Sequence, residues 1–126
     1  MRNITLPQWE QWLVEEQWQG YRLDEIICDT SKPARSDEWV DLLNQVQALR
    51  SLFVLTAGFA GETGEALEHF KKWIRDGVLD KPKAALELGD ALAYLTWLTH
   101  TLGFSLADLA EMNHAKLTAR AKKEMP

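Results

Sequence analysis

The 126-residue chain has one cysteine, Cys28, which excludes an intrachain disulfide and any cage of thiolates around a metal. A bound metal would have to rest on carboxylate or imidazole. No apolar run approaches the ~20 residues of a transmembrane helix, and Met1-Arg2-Asn3-Ile4 opens no signal-peptide pattern. A soluble, cytoplasmic protein with no membrane partner is therefore expected. Positive charge is scarce as well. Fourteen Lys and Arg against nineteen Asp and Glu leave a net charge of -5, so nucleic acid is excluded as the main partner for want of a broad basic surface. Strand-like alternation, internal repeats and low-complexity tracts are all missing.

What remains is helical. With 46% hydrophobic and 26% charged residues, the chain can bury one core, and residues 1–126 read as a single domain with a tryptophan-rich segment over 1–35. Thr5 is the expected cap of a first helix with Pro7 in its first turn, Trp9, Trp12 and Leu13 on one stripe and Gly20 as its stop. Asp24 to Cys28 reads as a turn of helix and Asp29 to Pro33 as loop. Ser36 should cap a second helix whose buried face is Trp39, Leu42, Leu43, Val46, Leu49 and Phe53. Helical character runs on to about Arg75, with a break or kink expected near Gly58 and Gly61 because of the length. A third helix is predicted from about Lys83 to Leu102, with Pro82 at its entrance, Gly103 at its exit and an apolar stripe of Ala85, Leu88, Leu92, Leu95 and Leu102. Ser105 and Asp108 form a capping-box pattern for a fourth, with Leu106, Leu109, Met112 and Leu117 mostly buried. The fold class is all-α, a bundle of four to five helices.

Two acidic pairs organise this pattern. Glu62 and Glu65 lie three residues apart, as do Glu87 and Asp90, and residues at that spacing are neighbours on one helix face. Glu62, Glu65 and His69 share a face of the second helix; Glu87, Asp90 and Tyr94 share a side of the third that borders its apolar stripe. Gly77 and Pro82 let the two helices turn back on each other. Four carboxylates would then meet, and two unit charges ~4 Å apart repel by about 4 kcal/mol at an effective dielectric of ~20, so the cluster must bind protons or cations. Oxygen donors without sulfur favour Mg²⁺ or Mn²⁺. Gly58, Gly61 and Gly64 each cost ~1 kcal/mol inside a helix, which implies close approach to the backbone there.

The words Gly61-Glu62-Thr63-Gly64-Glu65-Ala66 and Glu87-Leu88-Gly89-Asp90-Ala91-Leu92-Ala93-Tyr94-Leu95, with Asn113 to Arg120 downstream, resemble the MazG-like all-α nucleoside triphosphate pyrophosphatases, relatives of the dimeric dUTPases and of phosphoribosyl-ATP pyrophosphohydrolase. The likeness covers roughly Leu49 to Arg120; the segment before Asp37 departs from the family pattern. The resemblance implies that Glu62, Glu65, Glu87 and Asp90 ligate Mg²⁺, with Mn²⁺ as a substitute, and that a water attacks the α-phosphorus of a nucleoside triphosphate to release monophosphate and pyrophosphate. It also implies a homodimer or homotetramer. Glu62 is our choice of general base, with Glu65 beside it as catalytic. Asn113, Lys116 and Arg120 form one polar stripe suited to phosphate oxygens, and Lys72 and Tyr94 are further candidates for phosphate contact.

Other signals are weaker. Glu111 and His114 make one Glu-x-x-His sequence, half of what a di-iron bundle needs. His69 reads as a bundle-edge histidine and not a ligand, and His100, near a helix end, as structural. Six tryptophans offer stacking area for a base, although packing is their commoner role. The rival reading is a non-catalytic helical interaction module whose tryptophan-rich surface meets a partner.

Overall fold

A computed structural model describes residues 3–17 and 38–124 of the chain. The expected turn and loop over 24–33, the Gly20 stop, the Ser36 cap and the side chain of Trp39 lie outside the described residues. Within them the fold is all-helical: α1 spans Leu6–Glu16, α2 Glu38–Asp76, α3 Lys81–Thr101 and α4 Leu106–Glu124. None of these is long and apolar enough to cross a membrane.

The helix ends follow local chemistry. Thr5 accepts a hydrogen bond from the Gln8 backbone N–H while the Gln8 side chain accepts one from the Thr5 N–H, a reciprocal cap that satisfies two amides at the start of α1. Gly77, at φ +77°, ends α2 by donating to the Trp73 carbonyl at 2.8 Å. The left-handed backbone needed there is open to glycine at no steric cost. Asp80 caps α3 through the Lys83 N–H, with Pro82 in the first turn. At the far end Gly103 (φ +86°) donates to the His100 carbonyl and Phe104 to that of Thr99, the paired bonds of a Schellman stop. Ser105 and Asp108 then exchange the expected capping-box bonds at 3.1 and 2.8 Å.

The most extensive packing joins α2 to α3. The buried residues there are small: Ala48, Ser51 and Ala66 on α2, Ala84 and Ala91 on α3, with Leu55 the one large side chain fully enclosed among the described residues of α2. Small side chains let two helices approach closely, so the contact is narrow. Three expectations are corrected as a result. The apolar face Leu42, Leu43, Val46, Leu49 and Phe53 is exposed, Phe53 to 74%, because α2 meets α3 through the opposite side. Ala85 and Leu88 on α3 and Leu102 at its C-cap are likewise exposed, and the contact row runs through Ala84, Glu87 and Ala91 instead. On α4 no residue is buried; Met112 and Leu117 are open and only its first turns meet α3 closely enough to be half-covered.

A fourth correction concerns the expected break. α2 is one unbroken helix of 39 residues. At Gly58 the space a side chain would fill is taken by the Tyr94 ring, whose Cδ1 and Cζ lie 2.6 Å from where a Cβ would stand. That contact explains one glycine. Gly61 and Gly64 have nothing within 4 Å of the corresponding position, so close backbone approach does not account for them in a single chain.

Buried threonines sit on α3 without polar penalty. Thr96, Thr99 and Thr101 each donate to the carbonyl four residues earlier at 2.7 Å, which satisfies the hydroxyl within the helix. α1 docks on this end of α3: Leu13 is buried and its carbonyl accepts from the Trp97 indole N–H at 3.4 Å. Glu10 completes the joint. One oxygen, Oε1, lies 2.7 Å from His100 Nε2 and accepts from the Leu106 N–H at 2.8 Å, so a single carboxylate binds α1 to the end of α3 and the start of α4.

Candidate metal centre

The antiparallel pairing of α2 and α3 brings the acidic pairs together across the narrow contact. Glu62 lies in the α2 row between Leu55 and Ala66, and Glu87 lies in the α3 row between Ala84 and Ala91, so both point into the helix contact and not merely along its border. One oxygen each of Glu62, Glu87 and Asp90 falls within 4.8 Å of the others. Glu65 is more open but adjoins them, and Glu87 acts on it by hydrogen bond and by charge.

The electrostatics follow from this crowding. The Glu62 carboxyl is held above the ordinary glutamate range, first by burial and then by the charges of Glu65 and Asp90 and by Glu87. The Glu65 carboxyl is also raised, chiefly by the hydrogen bond its protonated form donates to Glu87 and by the Glu87 charge; His69 acts weakly in the other direction. Glu62 Oε2 is shut from solvent with no hydrogen-bond partner. A buried acceptor left unpaired costs about 1 to 3 kcal/mol, more when charged. Cations suit such a place, and the donors on offer are all oxygen.

His69 Nε2 stands 3.7 Å from Glu87 Oε1, with both side chains largely covered. Sequence reasoning put His69 on the face of Glu62 and Glu65 but read it as an edge residue; its position four residues after Glu65 was the signal that it reaches the acids. His100 is structural, as read, through its pairing with Glu10. A cavity of about 270 Å³ lined by Pro7, Glu10, Val14, His100 and Ser105 lies beside that pair. Ten residues separate His100 from Asp90, about 15 Å along the helix, so the cavity is remote from the acids.

The remaining candidates are Tyr94, one helical turn beyond Asp90, and four exposed polar side chains. Tyr94 spends its ring on Gly58 and on an edge-to-face contact with Trp97, centroids 5.3 Å apart. Lys72 is exposed and acts on Asp76. Asn113, Lys116 and Arg120 are exposed along α4, where Arg120 pairs with Glu124 at 3.3 Å. The groups acting on Glu62 and Glu65 are one another, Glu87, Asp90 and His69, none of them on α4. Glu111 and His114 are exposed too.

Comparison with protein-family models, with curated proteins and with solved structures finds no match for this chain.

Proposed function

We propose that the chain is a Mg²⁺-dependent nucleoside triphosphate pyrophosphohydrolase of the MazG-like kind, converting a ribo- or deoxynucleoside triphosphate to the monophosphate and pyrophosphate. One observation carries the reading: oxygens of Glu62, Glu87 and Asp90 converge within 4.8 Å around a Glu62 oxygen that is buried and unpartnered. Glu62 and Glu87 in the helix contact, with Glu65 and Asp90 exposed at its edge, oppose folding unless protons or positive charge join them, and the all-oxygen set of converging donors matches Mg²⁺, with Mn²⁺ as substitute.

In this reading Glu62, Glu65, Glu87 and Asp90 hold the metal, which supplies neutralisation of the triphosphate and a more acidic water. Glu62 takes the proton as the water oxygen bonds to the α-phosphorus. The bond from that phosphorus to the α,β-bridging oxygen breaks, and pyrophosphate leaves with its electron pair. Burial favours the role, because it raises the Glu62 carboxyl above the ordinary glutamate range and so makes its carboxylate the stronger base. Asn113, Lys116, Arg120, Lys72 and the Tyr94 hydroxyl are phosphate contacts by the resemblance alone, since the four polar side chains are exposed and away from the acids within one chain.

The test is a panel of ribo- and deoxynucleoside triphosphates with Mg²⁺, read for monophosphate and pyrophosphate, with Glu65→Gln and Asp90→Asn as controls. Metal-dependent pyrophosphate release lost in both variants is expected. Turnover unchanged in both removes the site assignment, and release of orthophosphate and diphosphate removes the choice of bond. Absence of turnover across the panel, with no effect of Mg²⁺ on thermal stability, leaves the interaction module.

A further inference from the structure

The cavity beside the Glu10–His100 pair takes no part in the metal reading, and the charges that border it are of one sign. About 270 Å³ lies between α1 and the turn from α3 to α4, against Pro7, Glu10, Val14, Glu15, His100 and Ser105. A dry cavity of ~150 Å³ holds a benzene molecule, so this one has room for a ring with a short side chain, about ten heavy atoms. Pro7 and Val14 supply an apolar wall. No lysine or arginine is among the described residues that line it.

Two carboxylates border that space. The Glu10 side chain is only 14% exposed, and both of its bonds, from His100 Nε2 at 2.7 Å and from the Leu106 N–H at 2.8 Å, fall on Oε1. Oε2 takes no part in them. Glu15 accepts from the Gln11 amide at 3.2 and 3.4 Å, contacts at or beyond the long end of the hydrogen-bond range. Asp108, bonded to Ser105 through backbone and side chain, adds a third carboxylate alongside. The donors at hand are already spent: the imidazole Nε2 and the amide that opens α4 both go to Glu10 Oε1. A ligand must therefore bring its own donors and its own positive charge.

We propose that this cavity binds a small organic cation: a protonated primary amine on a ring-sized hydrocarbon body, its ammonium between Glu10 Oε2 and the Glu15 carboxylate and its body against Pro7 and Val14. An ammonium group carries three donors and no acceptor, whereas a carboxylate only accepts, so the two are matched in kind as well as in charge. The partial burial of Glu10 strengthens that pairing relative to one in open water. An anion meets like charge here, and a neutral ring of the same shape forgoes the carboxylates. A divalent ion finds better ligands in the three converging oxygens of Glu62, Glu87 and Asp90. Because α1, α3 and α4 all meet at Glu10, an occupant stabilises the joint between them by mass action. The site owes nothing to the nucleotide reading and would stand with no turnover.

The experiment is a nuclear magnetic resonance titration of the full, isotope-labelled chain at neutral pH with three compounds: phenethylamine, its uncharged isostere phenethyl alcohol, and the anion phenylpropionate. The amine should shift the backbone amides of Val14, Glu15, His100 and Ser105 in a saturable way, with a Kd of about 1 to 10 mM for so small a ligand. The alcohol should bind about tenfold more weakly, and the anion should leave those amides unmoved. Glu15→Gln should weaken the amine about threefold without changing the alcohol. Glu10→Gln combined with Glu15→Gln should remove the preference for the amine, with helical circular dichroism retained. Equal binding of amine and alcohol overturns the proposal, as do shifts centred on Glu62 and Glu87, or saturation of the cavity amides by Mg²⁺ alone. So does a failure of the amine to saturate them by about 50 mM, well above the expected Kd. Each outcome is read without nucleotide, so it is separate from the fate of the pyrophosphohydrolase reading.

Discussion

Replacing Glu62 by glutamine should stabilise the metal-free protein and destabilise it relative to the parent once Mg²⁺ is present. The substitution keeps the shape and one acceptor oxygen while removing a charge that faces Glu87 and Asp90 within 4.8 Å. At that separation each pair of unit charges repels by about 1 kcal/mol in water and about 3.5 kcal/mol at an effective dielectric of ~20. Solvent screening of the exposed partners absorbs part of this, leaving a gain of about 1 to 2 kcal/mol, or roughly 3 to 8 °C in Tm for a domain of this size. The pH dependence has a definite sign. A carboxyl raised in the folded state, as Glu62 is, binds its proton more tightly there than when unfolded. Its stabilising contribution is full below the unfolded pKa and is lost as pH rises through the folded one. The metal-free parent should therefore melt higher at pH 5.5 than at pH 8, and Glu62→Gln should flatten that slope. Mg²⁺ at a hundred times its Kd adds about 2.7 kcal/mol to a protein that binds it only when folded, so at pH 8 the order of the two melting points should invert on adding the metal. Differential scanning calorimetry in EDTA and in Mg²⁺ at the two pH values measures all four quantities. A variant that melts below the parent in EDTA at pH 8, together with a parent indifferent to Mg²⁺, refutes both the repulsion and the cation.

Two further perturbations probe the frame that holds the acids. Gly58→Ala should destabilise the fold by about 1 to 3 kcal/mol in urea unfolding, because a Cβ there collides with the Tyr94 ring and overpacking outweighs the gain in helix propensity; Gly61→Ala, into open space, should stabilise by about 0.5 to 1 kcal/mol. Equal effects at the two positions would mean that Tyr94 does not rest on Gly58. Glu10→Ala should cost about 2 to 3 kcal/mol, since it strips the acceptor from both His100 and the Leu106 N–H, and Glu10→Gln, which keeps an acceptor, should cost less; urea midpoints for the pair test whether one carboxylate joins α1, α3 and α4.

Helix content was legible from local chemistry because caps and stops act within a few residues. Thr5, Pro82, Gly103 and the Ser105–Asp108 box all stand where their chemistry put them. The pairing of Glu62 and Glu65 with Glu87 and Asp90 was legible for the same reason: three-residue spacing sets a face, and Gly77 turns the chain back. Which side of α2 meets α3 was not. The stripe with Leu49 and Phe53 looks like the core by hydrophobicity, whereas the buried side is the one with Ala48, Ser51, Leu55 and Ala66. A helix with two apolar faces offers two partners, and periodicity does not rank them; close packing favoured the small residues and left the large ones outside.

The same decision made the acidic site. Sequence alone determined an all-helical chain, the caps at Thr5 and Ser105 and two carboxylate pairs, each on its own helix face, because those are properties of spacing along one chain segment. Only tertiary structure decided that Glu62 and Glu87 lie inside the contact, that His69 reaches Glu87, that Tyr94 rests on Gly58, and that Asn113, Lys116 and Arg120 stand clear of the acids in one chain. Burial, and with it the raised carboxyls and the orphaned Glu62 oxygen, comes from the neighbouring helix, and no spacing within one helix encodes it.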